Sequence, residues 1–145
     1  MAEKTHVLVV DDEKVVRDGC RRVLMGKGYE IATAENGKQA LEILDAQKID
    51  IILLDLKMPV MGGEEVLLKT RETCPEIPVI VITGHGTVDT AVECMKKGAY
   101  DFITKPFQID QFLITVGRAA DKRHLELKAR QFEAENIRNL YDLNL

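Results

Sequence analysis

Five apolar runs rich in β-branched residues constrain the fold of this chain more than any other feature. They are HVLVV, YEIATA, DIILLD, IPVIVIT and AYDFIT, and the segments between them carry apolar residues at helical spacing, as at Val15, Val16 and Cys20. Residues 51–54 and 79–82 are apolar on both faces of a strand, which is typical of central parallel strands covered by helices. The alternation predicts an α/β fold, a doubly wound five-stranded parallel sheet with an extended C-terminal helix.

The length, charge and apolar runs of the chain indicate which class of protein it belongs to. The chain has 145 residues and a formal net charge of −4, which predicts one globular domain with some sequence left over. Apolar runs fall short of the roughly 20 residues of a membrane span, and the N-terminus lacks the apolar segment of a secretory signal. We therefore expect a cytoplasmic protein with no membrane partner. Because its mildly acidic balance offers no basic stripe, we expect no direct contact of this segment with nucleic acid.

Cysteines and histidines give no sign of a metal or redox centre. Cys20, Cys74 and Cys94 are odd in number, far apart and without CxxC spacing, which argues against disulfides and against a zinc site. We expect buried free thiols, and we expect apolar helix residues such as Met95 to pack in the core. The histidines are expected to lie at the surface without a catalytic role; they are His6, His85 and His124.

The C-terminal part of the chain predicts one long helix. Residues 118–145 contain neither Gly nor Pro, and a helix from Ile109 to Asn136 would be about 40 Å long, longer than a small domain can cover. Leu125, Ala129 and Phe132 have the spacing of a coiled-coil seam, with Asn136 at the next seam position. We predict a folded domain at 4–117 and a helical linker at 118–145. The linker is a partner helix, a solvated connection or a disordered end.

Polar residues follow the strands on one side of the predicted sheet. Asp11 and Asp12 end the first strand, Asp55 the third and Thr83 the fourth, and Lys105 follows the fifth. In a doubly wound sheet the carboxyl ends of the strands meet at one edge, where ligands bind. We therefore expect these five side chains to converge.

The three carboxylates predict a metal site. Asp11 and Asp12 alone would serve as helix N-caps, but Asp55 has no capping duty because a loop with Gly62 and Gly63 separates it from the next helix. Carboxylates that lie within a few ångströms of one another raise one another's pKa unless a cation neutralises them. A few oxygen ligands with room for water favour Mg²⁺ over zinc or a fully caged Ca²⁺.

The same edge predicts phosphoryl chemistry. Lys105 would bring a positive charge and Thr83 a hydroxyl donor to an incoming phosphoryl group. Asp55 is then the candidate nucleophile, and its attack on phosphorus would give an acyl phosphate.

Four motifs in this order, VLVVDDE, IILLDLKMPVMGG, VIVITGHG and FITKPF, resemble the receiver domain of two-component response regulators over residues 4–117. The resemblance implies a flavodoxin-like sheet of strand order 2-1-3-4-5. The stretch ITGHGTVDTAVECMKKGAYDFITKPF is similar to receivers of NtrC-type activators, which work with sigma-54 polymerase. Such activators continue into an ATPase and a DNA-binding domain. Neither is expected in this segment, so either the chain is a fragment or a partner supplies the output.

The resemblance also implies roles for single residues. Asp55 resembles the phosphoacceptor, Asp12 the direct Mg²⁺ ligand with Asp11 assisting through water, and Lys57 the residue whose backbone carbonyl binds the metal. Lys105 resembles the lysine that contacts the phosphoryl group.

Three further positions resemble the family's switch. Thr83 matches the switch hydroxyl, Phe102 stands where many receivers have a switch tyrosine, and Pro106 matches a proline usually preceded by a cis peptide bond. The loop Gly84-His85-Gly86 is expected to give the fourth helix freedom to move.

The expected function is two-component signal transduction. A sensor histidine kinase would phosphorylate Asp55 with Mg²⁺, and the change would alter the face of the fourth helix, fifth strand and fifth helix. A homodimer is expected through that face, the C-terminal helix or both, controlling a transcriptional output. Catalysis is limited to Mg²⁺-dependent self-phosphotransfer and autodephosphorylation.

Alternatives remain at this point. The chain could be a phosphorylation-independent dimerisation module, or a stand-alone receiver that acts on a partner protein. A flavin-binding electron carrier would have the same topology, but the acidic DDEK segment after the first strand would repel a flavin phosphate.

Overall fold

The computed structural model describes residues 4–58, 61–84 and 88–143, in which strands and helices alternate. The strands are β1 His6–Val10, β2 Glu30–Ala34, β3 Ile51–Asp55, β4 Val79–Thr83 and β5 Asp101–Thr104. The helices are α1 Lys14–Met25, α2 Gly37–Ala46, α3 Gly63–Thr73, α4 Val88–Lys96 and α5 Ile109–Leu143.

The five strands form one parallel sheet in the order β2-β1-β3-β4-β5. β3 and β4 are buried along their whole length, as runs that are apolar on both faces require. The predicted α/β fold and strand order are therefore confirmed. The order reverses beside β1, so the carboxyl ends of β1 and β3 border the crevice where ligands bind in such sheets.

Two apolar layers cover the sheet, one on each face. Alternate residues of β1 point to opposite layers: Leu8 and Val10 pack with α2, α3 and α4, whereas Val7 and Val9 pack with α1 and α5. The sheet is thus held rigidly from both sides, which fixes the positions of the residues at the strand ends.

Two expectations about burial were wrong. Met95 of α4 is 46% exposed, and Val15 of α1 is 83% exposed although it matches the apolar spacing of that helix. The three cysteines are free thiols as expected, but Cys74 is only half-buried. Periodicity alone does not distinguish the centre of a buried helical stripe from its margin.

α5 is one continuous helix, Ile109–Leu143, which includes most of the segment predicted to be a helical linker. Its first turns pack on the sheet through buried residues such as Phe112, Val116 and Ala119. Every side chain from 128 to 142 is exposed, so this part of the helix projects from the domain. In the described part of the chain, the helices are too short or too polar to span a membrane.

Candidate functional site

Three carboxylates meet at the carboxyl ends of β1 and β3. Asp11 and Asp12 directly follow β1, and Asp55 is the last residue of β3. The two strands are neighbours, with Val10 opposite Leu54, so parallel pairing alone brings the acids together. One oxygen from each acid lies within 4.8 Å of the others; Asp11 and Asp55 are buried, whereas Asp12 is exposed.

Asp11 uses its two carboxylate oxygens differently. Oδ1 accepts a hydrogen bond from the Glu13 backbone N–H at 2.9 Å, and Oδ2 accepts one from Lys105 Nζ at 2.7 Å. The N-cap of α1 is Glu13, and no side chain caps it. Asp11 therefore stabilises the turn before α1 but does not cap the helix, and its other oxygen faces the site.

Lys105 reaches the site from β5. Its backbone N–H donates to the Thr83 carbonyl at 2.9 Å, and the Lys105-Pro106 peptide bond is cis, as expected. The ammonium lies 3.7 Å from Asp55 Oδ2, a looser contact than its hydrogen bond to Asp11. Burial lowers the pKa of Lys105, but the bond to Asp11 and the charges of both acids outweigh burial, so the pKa lies above its usual value and the lysine is positive.

Asp55 carries the clearest electrostatic signature of the site. Burial raises the pKa of its carboxyl from 3.8 to about 6, and the charge of Asp11 adds to the rise. Lys105 and the Lys57 backbone N–H, 3.4 Å from Oδ1, act in the opposite direction. A buried carboxylate with an acidic neighbour gains from any cation that enters the site.

The three acids fit a divalent cation. They supply only oxygen donors, which hard cations such as Mg²⁺ prefer, and the exposure of Asp12 leaves one side open to water. The negative charge of three carboxylates also exceeds the single positive charge of Lys105, so a cation relieves their repulsion.

Thr83, the last residue of β4, lies at the same edge of the sheet. Only 1% of it is exposed, and with Lys57 it lines a cavity of about 340 Å³ between α3 and α4. Phe102 of β5 is half-buried and packs against the apolar layer formed with α2, α3 and α4. The structure thus brings the aspartates, Thr83 and Lys105 to one edge, with Phe102 one strand away.

Two residues that support the site were missed by the sequence analysis. Arg17 donates from Nη1 to the Asp11 backbone carbonyl at 2.8 Å, which ties α1 to the edge that carries the three carboxylates. Gly63 lies so close to β3 that a Cβ there would be 2.2 Å from the Asp55 carbonyl oxygen. The pair Gly62-Gly63 was a detectable signal, although it was interpreted only as a loop; Arg17 lies in no motif.

The predictions for the hinge loop at 84–86 and for His124 have different outcomes. His85 and Gly86 of the predicted hinge loop lie outside the described residues. His124 is not simply a surface residue, because its Nε2 lies 2.9 Å from Thr5 Oγ1 in a part-buried hydrogen bond. That bond joins α5 to the segment before β1.

Comparison with known proteins agrees with this geometry. The family model described as the response regulator receiver domain matches residues 7–116. The transcriptional regulatory protein ZraR of Klebsiella oxytoca is 39% identical over 81% of this chain and 26% of the relative. The DNA-binding transcriptional regulator NtrC of Escherichia coli K12 is 40% identical over 78% of this chain and 24% of the relative.

A solved structure, the receiver domain of NtrX from Brucella abortus, matches with a TM-score of 0.76 and 36% identity, covering 79% of this chain and 98% of that one. The chain spans about a quarter of the length of the two curated relatives.

Proposed function

The chain belongs to the response regulator receiver domain family, and from this premise we propose that Asp55 accepts a phosphoryl group from a histidine of a sensor kinase. The process is two-component signalling, in which the NtrC-like relatives regulate transcription. The observation that carries the proposal is the meeting of three carboxylates within 4.8 Å, with the Lys105 ammonium 3.7 Å from Asp55.

The transfer is a displacement at phosphorus. A carboxylate oxygen of Asp55 forms the new O–P bond while the P–N bond to the donor histidine breaks, and the histidine nitrogen takes up a proton. Lys105 is positioned to contact one phosphoryl oxygen, and the hydroxyl of Thr83 another. Neither requires a change of charge, so these residues act by position and electrostatics.

Mg²⁺ would be held by Asp11, Asp12, Asp55 and the backbone carbonyl of Lys57. When bound, it would neutralise charge on the phosphoryl oxygens and lower the repulsion between donor and carboxylate. The Lys105 ammonium lies 3.7 Å from Asp55 and 2.7 Å from Asp11, so it neutralises Asp11 more than Asp55.

The kinase would dock on an apolar cavity beside Lys105. This cavity, of about 330 Å³, lies between α1 and the segment after β5. At its margin Val15 is 83% and Ile109 55% exposed, so both side chains are accessible to a partner. A helix bearing the phosphohistidine would bury both residues while its histidine reached Asp55.

Phosphorylation would be transmitted through Thr83 and Phe102. A phosphoryl group adds about −1.5 to −2 charges and attracts hydroxyl donors, so Thr83 would move toward it and Phe102 would fill the space behind. α4 would shift with them, and such a shift would break the salt bridge, 3.2 Å long, from Lys97, directly after α4, to Glu64 of α3.

We assign the receiver to 4–117 and the helical linker to 118–145, in a protein of the cytoplasm. Control of a sigma-54-type transcriptional output is part of the proposal, as is a homodimer through the α4-β5-α5 face, the distal part of α5 or both. The exposed side chains of α4, Val88, Val92 and Met95, support the first of these surfaces.

Incubation with a small-molecule phosphodonor and Mg²⁺ tests the proposal. We expect the intact mass to rise by one phosphoryl group in the native chain, and hydroxylamine to remove it as expected of an acyl phosphate. Asp55→Asn should remain unmodified, whereas Asp45→Asn, a change of an exposed aspartate in α2, should react as the native chain does. Equal labelling of Asp55→Asn would reject Asp55 as the acceptor.

A further inference from the structure

Every hydrogen-bonding group of Asp11 has a partner. Its backbone N–H donates to the Ala34 carbonyl at 3.1 Å, and its two carboxylate oxygens accept from the Glu13 backbone N–H and from Lys105. Its backbone carbonyl accepts from Nη1 of Arg17 at 2.8 Å. Because Asp11 is only 2% exposed, each of these groups would cost stability if it lacked a partner. Asp11 is therefore fixed in place by contacts with β2, α1 and β5.

The bond from Arg17 fixes the backbone just beyond the end of β1. The register of β1 with β2 and with β3 ends at Val10. The carbonyl of the next residue, Asp11, accepts from the side chain of Arg17 in α1. That carbonyl belongs to the planar peptide group that joins Asp11 to Asp12. Arg17 therefore fixes the plane of the peptide group that leads into Asp12.

Asp12 is the acid of the site that depends most on its backbone. Asp11 and Asp55 are buried, whereas Asp12 is exposed. Packing restricts a buried side chain, but an exposed one keeps its rotamer freedom, so the direction of its backbone limits where its carboxylate lies. Mg²⁺ demands near-ideal octahedral geometry, and a ligand that is already oriented loses less conformational entropy on binding. A fixed peptide group before Asp12 should therefore tighten cation binding.

Arg17 is itself oriented from its other side by Glu35. Its Nη2 lies 3.7 Å from Glu35 Oε1, and its side chain is 12% exposed, against 81% for Lys14 of the same helix. The Glu35 backbone N–H donates to Gln39 Oε1 at 2.8 Å, and Gln39 also takes part in the N-cap of α2. An exposed ion pair of this length contributes little stability by itself, so its effect is to orient the guanidinium.

The two contacts of Arg17 require a guanidinium. Nη1 and Nη2 diverge from one carbon in a fixed plane, so one group contacts the Asp11 carbonyl and Glu35 together. A lysine would keep the charge but would present a single ammonium on a flexible chain. The charge itself opposes a cation at this edge, so electrostatics alone predicts tighter Mg²⁺ binding when Arg17 is removed. Orientation of Asp12 predicts the opposite change.

We propose that Arg17 is a positioning residue of the phosphoryl-transfer site, which orients Asp12 toward the divalent cation by holding the Asp11 carbonyl. The inference rests on the proposed function, because it gives Arg17 a part in the Mg²⁺-dependent phosphorylation of Asp55. Arg17 acts on the affinity for the cation and not on the transfer itself, since its contacts are with Asp11 and Glu35.

Isothermal titration of the unphosphorylated full chain with Mg²⁺ tests the proposal at pH 8, where Asp55 is ionised. Arg17→Met should raise the Kd for Mg²⁺ by at least about tenfold, the usual effect of losing a group that orients a metal ligand. Arg21→Met is the matched control, because it removes the same charge from an exposed position one turn further along α1, and its Kd should not rise. Circular dichroism in chelator establishes that each variant is folded.

Arg17→Lys separates orientation from charge. It conserves the positive charge, so electrostatics predicts an unchanged Kd, whereas orientation predicts a Kd between those of the native chain and Arg17→Met. The same variant carries the test if Arg17→Met does not fold, since a Kd for Arg17→Lys equal to the native value would then overturn the proposal.

The Mg²⁺ dependence of phosphorylation separates cation binding from the transfer step. With a small-molecule phosphodonor, Arg17→Met should raise the Mg²⁺ concentration for half-maximal labelling of Asp55 by at least about tenfold, and the rate at saturating Mg²⁺ should stay within about twofold of the native rate.

Three outcomes would overturn the role of Arg17. They are a Kd for folded Arg17→Met that is equal to or lower than the native value, an equal rise in Arg21→Met, and a slower rate at saturating Mg²⁺ with an unchanged half-maximal concentration. A native chain that binds Mg²⁺ but is never labelled at Asp55 would instead reject the proposed function, and the comparison of Kd values would still decide the role of Arg17.

Discussion

The Lys105 ammonium donates a hydrogen bond to Asp11 Oδ2 at 2.7 Å, although Asp11 and Lys105 are 94 residues apart in the chain. Asp55 lies a further ångström from the same nitrogen, at 3.7 Å. The lysine therefore neutralises Asp11 more than the proposed acceptor, and burial together with the charge of Asp11 holds the pKa of Asp55 at about 6. This asymmetry has consequences for stability, metal binding and reactivity.

The pH dependence of stability should report Asp55. Its pKa rises from 3.8 to about 6 on folding, so the folded chain binds this proton more tightly than the unfolded chain. The resulting stability is fully present below about pH 4 and is lost as the pH rises through about 6. We expect Asp55→Asn, which cannot ionise, to exceed the native free energy of unfolding by about 1 to 2 kcal/mol at pH 7 without divalent cations. Urea unfolding in chelator from pH 4 to 7 measures this, and parallel pH curves for the two proteins would contradict it.

Mg²⁺ should offset the loss of stability that ionisation of Asp55 causes in the native chain. A cation that binds only the folded state stabilises it by about 2.7 kcal/mol at a hundred times its dissociation constant. We expect the melting temperature to rise with Mg²⁺ at pH 7 and to rise much less at pH 5, where Asp55 is protonated. Scanning calorimetry with and without chelator checks this. Asp12→Asn should lose most of the Mg²⁺ effect, and an undiminished effect would exclude Asp12 as a ligand.

Removing the charge of Lys105 should raise the pKa of Asp55 still further. Lys105→Met keeps the length of the side chain but removes the ammonium that lowers this pKa. We expect the pKa to exceed 6 and phosphorylation to slow by at least about tenfold, equivalent to about 1.4 kcal/mol in the barrier. Carbon NMR titration and initial rates of labelling measure the two effects. Lys57→Met, a change of an exposed lysine at the same edge, should leave this pKa near 6, and a similar rise there would argue against a specific role for Lys105.

The close approach of α3 to β3 should not tolerate a side chain at Gly63. Gly63→Ala would place its Cβ 2.2 Å from the Asp55 carbonyl oxygen, so backbone must move. We expect a loss of about 1 to 3 kcal/mol in stability and slower phosphorylation. Gly62→Ala is the control, since its Cβ would lie 3.8 Å from the Leu56 carbonyl oxygen, an ordinary contact. Denaturant unfolding of the pair measures the difference, and equal stabilities would show that the loop relaxes.

The sequence by itself determined the α/β alternation, the parallel sheet and the strand ends that carry Asp11, Asp55 and Thr83. The alternation of side chains along a strand depends only on neighbouring residues, so it can be recognised in the sequence. Because parallel strands run in the same direction, their carboxyl ends then lie at one edge of the sheet. Cofactor and role assignments for these residues remain predictions that the geometry supports.

Only the tertiary structure decided which partner each group takes. Lys105 lies closer to Asp11 than to Asp55, and Arg17 donates to the Asp11 carbonyl. His124, near the middle of α5, forms a hydrogen bond with Thr5. Val15 and Met95 are exposed despite their apolar spacing. These outcomes depend on distances between elements distant in sequence, which are set by how the helices pack on the sheet, and no local pattern of residues encodes them.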